Sequence, residues 1–232
     1  MNRGLPWTFH LNGISSLLNG DRSNLHDLNG HIRDDVSFIG VLDLPSHILG
    51  RKTRQMGIWH DHCRFRSGIE DGLGLPCSLV DLLCAIKEPG IVHRLVAWPG
   101  EEGTGDREKI WDLTRYAGII AACPQGDDTT AFAVQHIIST ISHIKAQVGH
   151  FPYTPWYGLL FPLAMAGSQA QHLGEVDKTL IIACITDIAS GSLDQFPYYG
   201  NVVAALREFW QRGAGRSLEQ VVVDLDMELG LF

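Results

Sequence analysis

The segment Leu160-Phe161-Pro162-Leu163-Ala164-Met165-Ala166-Gly167-Ser168-Gln169-Ala170 constrains this chain more than any other. It carries no charge, and no polar side chain before Ser168, so as a helix it has little face to offer water and reads as buried. Its alanines and glycine let neighbouring elements come close. The apolar stretch extends back only to Trp156, too short to cross a bilayer, and Pro162 lies inside it. The segment therefore reads as a small-residue helix enclosed by protein. Thr154-Pro155 marks its start and Gly174 its end, and Pro162 is expected to kink it.

Helical periodicity continues along nearly the whole chain. Trp7, Leu11, Ile14, Leu17 and Leu18 mark one helix face, and Leu25, Leu28, Ile32, Val36 and Ile39 a second, with Ser23 as its N-cap. Pro76 opens a short helix through Ile86, and residues 87–105 read as looser chain. Asp106 and Asp128 are expected to cap two long helices, the second lined by Val134, Ile137, Ile138, Ile141, Ile144 and Val148. Val176 to Ile188 and Val202 to Trp210 give two more. Ser217-Leu218-Glu219-Gln220 is a capping box opening a last helix through Leu229. No alternating strand pattern of useful length is present. The fold class is all-α, a bundle of about eight to ten helices forming one domain over residues 1–232.

Charge narrows the possible partners. Eighteen Lys and Arg against 26 Asp and Glu leave −8, which repels a phosphate backbone. The only dense basic runs, Arg51-Lys52-Thr53-Arg54 and Arg64-Phe65-Arg66, are short, so direct nucleic-acid binding is disfavoured. Five widely spaced cysteines (Cys63, Cys77, Cys84, Cys123, Cys184) without a C-x-x-C pair fit buried, reduced thiols. With neither a signal-peptide run nor an N-x-S/T acceptor, the expectation is an intracellular protein, cytoplasmic or nuclear, that does not enter a membrane.

Candidate chemistry is sparse. His60-Asp61-His62-Cys63 has metal-ligand residue types, but adjacent residues rarely converge on one ion, so no metal site and no cofactor are expected. His136 and His143 share a helix face with Thr140 between them. On a polar stripe facing a cavity they are candidates for hydrogen bonding or proton transfer; on a solvated face they do nothing chemical. Gly100, Gly103 and Gly105 lack the Gly-Lys-Ser/Thr ending of a phosphate loop. The aromatic group Tyr153, Trp156, Tyr157 and Phe161, with Tyr199 further on, supplies apolar area and phenolic handles to wall a ligand pocket, or else packs the core. Tyr157 joins the two histidines as a candidate catalytic group.

Several segments resemble one family: Pro6-Trp7-Thr8-Phe9-His10-Leu11-Asn12-Gly13, Gly74-Leu75-Pro76 ahead of Leu79-Val80-Asp81-Leu82-Leu83, the Phe161–Gly167 segment, and Val202–Trp210 with its Phe-Trp pair. In that order they are similar to the helical regulatory domain of fungal binuclear-zinc-cluster transcription factors. The likeness begins partway into that domain, and the six closely spaced cysteines of the family's DNA-binding head have no counterpart. The resemblance implies a regulator's helical body that holds an apolar small molecule or a protein partner, either a transcription factor or a second copy, without touching DNA. The alternative is an enzyme of fungal secondary metabolism built on the same body. That enzyme is a cofactor-independent cyclase or Diels-Alderase that folds a terpenoid or polyketide intermediate in an apolar pocket. A bare scaffold is the third reading.

Overall fold

The computed structural model describes residues 8–20, 30–103, 105–123, 127–148, 156–191, 197–213 and 215–232. The fold is all-α apart from one pair of two-residue strands. Helices α1 (Thr8–Gly20) and α2 (Gly30–Leu42) lead into strand β1 (Ile48–Leu49) and the short α3 (Ile58–His62). Helices α4 (Cys77–Cys84), α5 (Ile91–Val96), α6 (Asp106–Ala122) and α7 (Asp128–Val148) follow. A 3-10 turn at Trp156–Leu159 then runs into α8 (Leu160–Gly167). Helices α9 (Glu175–Gly191), α10 (Pro197–Arg212) and α11 (Leu218–Asp224) and strand β2 (Leu229–Gly230) complete the chain.

Every residue of α8 is buried. Helices α6, α7, α9 and α10 pack around it, and α6 in turn carries α4 and α5 on its other sides. Close approach depends on the small residues. A Cβ placed on Gly167 would stand 2.7 Å from Leu206 Cδ2, and beside it Trp210 Nε1 donates to the Gly167 carbonyl at 2.9 Å. The two sequence segments that stood out thus lie against each other. Buried side chains from α2 through β2 form one contiguous apolar cluster.

Three carboxylates organise the irregular chain between α2 and α4. Asp43, almost wholly buried, accepts the amides of Met56, Gly57 and Ile58 at 3.2, 2.6 and 3.2 Å and pairs with Arg51, which fixes the entry to α3. Glu70 accepts the amides of Gly72, Leu73 and Leu75, so the turn ahead of α4 wraps around one side chain. Asp81 on α4 accepts Trp59 Nε1 and the Phe65 amide, tying α3 to α4. Chain ends are joined by Glu228, whose carboxylate takes the Thr8 amide and hydroxyl and the Lys52 amide. Strands β1 and β2 pair antiparallel, Ile48 with Gly230 and Leu49 with Leu229.

Several sequence expectations need correcting. Pro162 does not kink a long helix: it falls in the first turn of α8, where amides lack helical partners in any case. That helix stops at Gly167 rather than Gly174. Asp106 is the first residue of α6 and Gly105 its cap, while Asp127, not Asp128, caps α7 by accepting the Thr130 amide at 2.9 Å. The stretch expected to be loose contains α5. The Ser217 capping box is present, but α11 ends at Asp224, and Leu229 belongs to a strand. Val176 is exposed rather than on the buried face of α9. Ser23 and Thr154-Pro155 lie outside the described residues.

Two glycines should respond oppositely to substitution. Gly167→Val forces a branched side chain against fully buried Leu206 and should destabilise by about 1–3 kcal/mol. Gly200, exposed on α10 with open space at its Cβ position, should gain about 0.5–1 kcal/mol as alanine. Urea unfolding of the two variants against wild type checks both signs.

Candidate functional site

Four helix ends meet around an open groove of about 1180 Å³: the C-termini of α6 and α8 and the N-termini of α5 and α11. Its floor is apolar, made by Ile91, Ile120, Met165, Phe209 and Leu218, all buried. Ala121 and Ala122 form one side. The turn before β1, with Pro45, Ser46 and Ile48, forms another, and the Ile86–Gly90 connection closes the mouth.

Local chemistry explains why each wall stands where it does. The Ser217 hydroxyl accepts the Gln220 amide and the Gln220 side chain returns to the Ser217 amide, so α11 starts at a fixed point and Leu218 and Glu219 face the groove. Glu219 Oε1 then accepts the Gly50 amide at 3.0 Å. Gly50 holds a φ of 66°, and a Cβ there would collide with the Met227 carbonyl, so glycine alone fits this bend. Burial raises the Glu219 carboxyl above its ordinary value, against the lowering effects of the Gly50 amide and Lys87.

Polar groups gather where α8 ends. The Ser168 hydroxyl donates to the Met165 carbonyl at 2.7 Å, Gln169 Nε2 donates to Ser168 Oγ at 3.3 Å, and Gln171 Nε2 donates to Gln169 Oε1 at 2.9 Å. All three line the groove, and Gln169 is 6 % exposed. Nothing in the sequence flagged them. Their only signal was their place just after the apolar segment, where a helix must turn its free carbonyls toward polar company.

The residues singled out from sequence are distributed otherwise. Phe161 is buried and stacks on His47 with centroids 4.0 Å apart, and Tyr199 is buried edge-on to Tyr198 at 5.7 Å; neither lines the groove. His136 Nε2 lies 2.7 Å from Asp112 Oδ2 and its ring 4.1 Å from that of Tyr116. Asp112 also holds Arg115, and both line a second cleft of about 670 Å³ with Trp98 and Trp111. His143 is exposed and Thr140 half-buried further along α7, and neither shares a cavity with His136 in the groove or the cleft. Tyr153 lies outside the described residues, as do the side chains of Trp156 and Tyr157. In α3, His60 and Asp61 are exposed while Cys63 is buried, so that cluster splits between two sides of the helix. Burial pushes the Cys63, Cys84 and Cys184 thiols up to about 11, away from reactivity.

Among the described residues no helix is long and apolar enough to cross a membrane. Compared with known protein families, curated proteins and solved structures, the chain matches none. Function is therefore argued from the site itself.

His47 sits behind the groove wall, between the Phe161 and Phe232 rings, with Nδ1 3.1 Å from Ser46 Oγ. Burial pushes its imidazole from the ordinary 6.5 down to about 3. The unfolded chain therefore binds a proton that the folded chain refuses, and stability is lost as pH falls from about 6.5 towards 3. Relative to His47→Phe, wild type should lose about 1.4 kcal/mol per pH unit between pH 6 and 4, and the difference should be flat above pH 7. Denaturant titrations across that range measure it.

Proposed function

We propose that the protein is a helical binding module whose groove holds an apolar small molecule, in the manner of a regulatory body that does not itself contact DNA. The observation that carries this reading is the groove: five buried apolar residues, Ile91, Ile120, Met165, Phe209 and Leu218, brought together where several helices end, with polar and charged side chains alongside them. Its volume is at the upper end for small-molecule sites, which suits an elongated or polycyclic ligand better than a compact polar metabolite. The net charge of −8 speaks against a nucleic-acid ligand for the chain as a whole. The sequence likeness to fungal regulator bodies points the same way.

The groove is also roomy enough to fold a flexible polyene, which supports a second reading as a cofactor-independent cyclase. Recovery of the ligand separates the two. A binding module returns it unchanged, whereas a cyclase alters product ratios over a buffer control.

Thermal-shift screening against lipophilic metabolites tests the proposal. A groove ligand at about 100 times its Kd should add roughly 2.7 kcal/mol to apparent stability. Ala121→Trp fills the groove from a half-buried position, so it should weaken binding about tenfold or more, a loss of at least about 1.4 kcal/mol, while leaving the unliganded melting temperature nearly unchanged. Equal binding by wild type and Ala121→Trp would place the ligand elsewhere and end this assignment.

A further inference from the structure

We infer that Gln169 is the specificity-determining residue of the groove, and that the ligand it selects is an uncharged apolar molecule bearing a carbonyl-type acceptor oxygen, such as a ketone, ester or lactone. This rests on the reading of the groove as a ligand site and specifies what that site selects.

Most of the charged groups around the groove are already engaged within the protein. Arg51 is held by Asp43 and by the carbonyls of Asp43 and Thr53. Glu88 pairs with Arg94 at 2.8 Å, and Arg216 pairs with Asp224. Glu219 accepts the Gly50 amide, with Lys87 near enough to act on its carboxyl. A ligand charge brought onto the apolar floor would lose its hydration, with only Lys87 and Glu219, among the described residues, left outside an ion pair to face it. Desolvation on that floor therefore disfavours an ion relative to a neutral molecule of the same length.

Of the neutral polar groups in the lining, the most buried is incompletely used. The Gln169 amide is oriented from both sides: its oxygen accepts Gln171 Nε2, and its nitrogen donates to Ser168 Oγ. A primary amide nitrogen has two hydrogens, and among the described residues only one has a partner. In a side chain more than nine-tenths buried on the groove wall, the second N–H is a donor awaiting an acceptor. A buried donor left unmet is unfavourable, and a ligand carbonyl removes that penalty on binding. Discrimination by a polar group that would otherwise be unpaired is also stronger than discrimination by apolar contact. Ser168 and Gln171 act as positioning residues, holding the amide in one orientation.

The experiment follows displacement of Nile red from wild-type protein by four ten-carbon probes: 2-decanone, decane, decanoate and decylammonium. The expected result is that 2-decanone displaces about tenfold better than decane, with both ions weaker than the ketone. In Gln169→Met, similar in shape but without the amide, the ketone should fall to the level of decane while decane itself is unchanged. Equal displacement by ketone and decane in wild type would overturn the inference, and so would a ketone preference that survives in folded Gln169→Met. The wild-type comparison decides alone if that variant does not fold. Binding without selectivity sinks only the role of Gln169. If Nile red binds wild type and Ala121→Trp alike and no probe displaces it, the groove reading falls as well.

Discussion

Complete enclosure of α8 is the condition to which the rest of the molecule conforms. A helix without a polar stripe gains nothing from water on any side, and its eight residues are covered from four directions by α6, α7, α9 and α10. Small residues set how near those covers come, as the fit of Leu206 and Trp210 over Gly167 shows. Even the buried imidazole of His47 follows from this arrangement, because the Phe161 ring supplies one of its apolar faces. The acid sensitivity expected of the fold is thus linked to the same central helix.

Enclosing a short helix has a consequence at its end. The last carbonyls of α8 cannot point into hydrocarbon unpaired, so the chain turns through Ser168, Gln169 and Gln171, and these bring polar atoms to an otherwise apolar surface. Because α6 and α11 also terminate there, backbone and side chains diverge and leave room. The groove is where the packing of helices runs out, and its mixture of apolar, polar and charged lining residues arises from that geometry. Elsewhere three carboxylates hold the chain instead: Asp43 and Glu70 accept backbone amides at the turns ahead of α3 and α4, and Asp81 accepts the Trp59 indole N–H.

Residues that attracted attention as chemistry were often doing structural work, for reasons visible only in three dimensions. Phe161 and Tyr199 fill the core, and His136 pairs with Asp112 from the neighbouring helix, a partner that periodicity along α7 does not reveal. Conversely, Gln169 belongs to no motif. Its burial beside the groove depends on how α8, α10 and α11 come together there. Short elements were missed for a related reason. Helices of five or six residues, such as α3 and α5, and strands of two carry too few turns to leave a periodic signal, and each is held by tertiary partners.

Local sequence settled whatever depends on near neighbours: the all-α class from apolar spacing, the capping box at Ser217, and the need to bury Leu160–Gly167, since side-chain polarity acts over a few turns of one helix. It also set the net charge of −8. Tertiary structure decided where α8 stops and which polar groups reach the groove. Those outcomes depend on contacts between residues far apart in the chain, such as Glu219 with Gly50 and Trp210 with Gly167, whose energies exist only once the helices have packed.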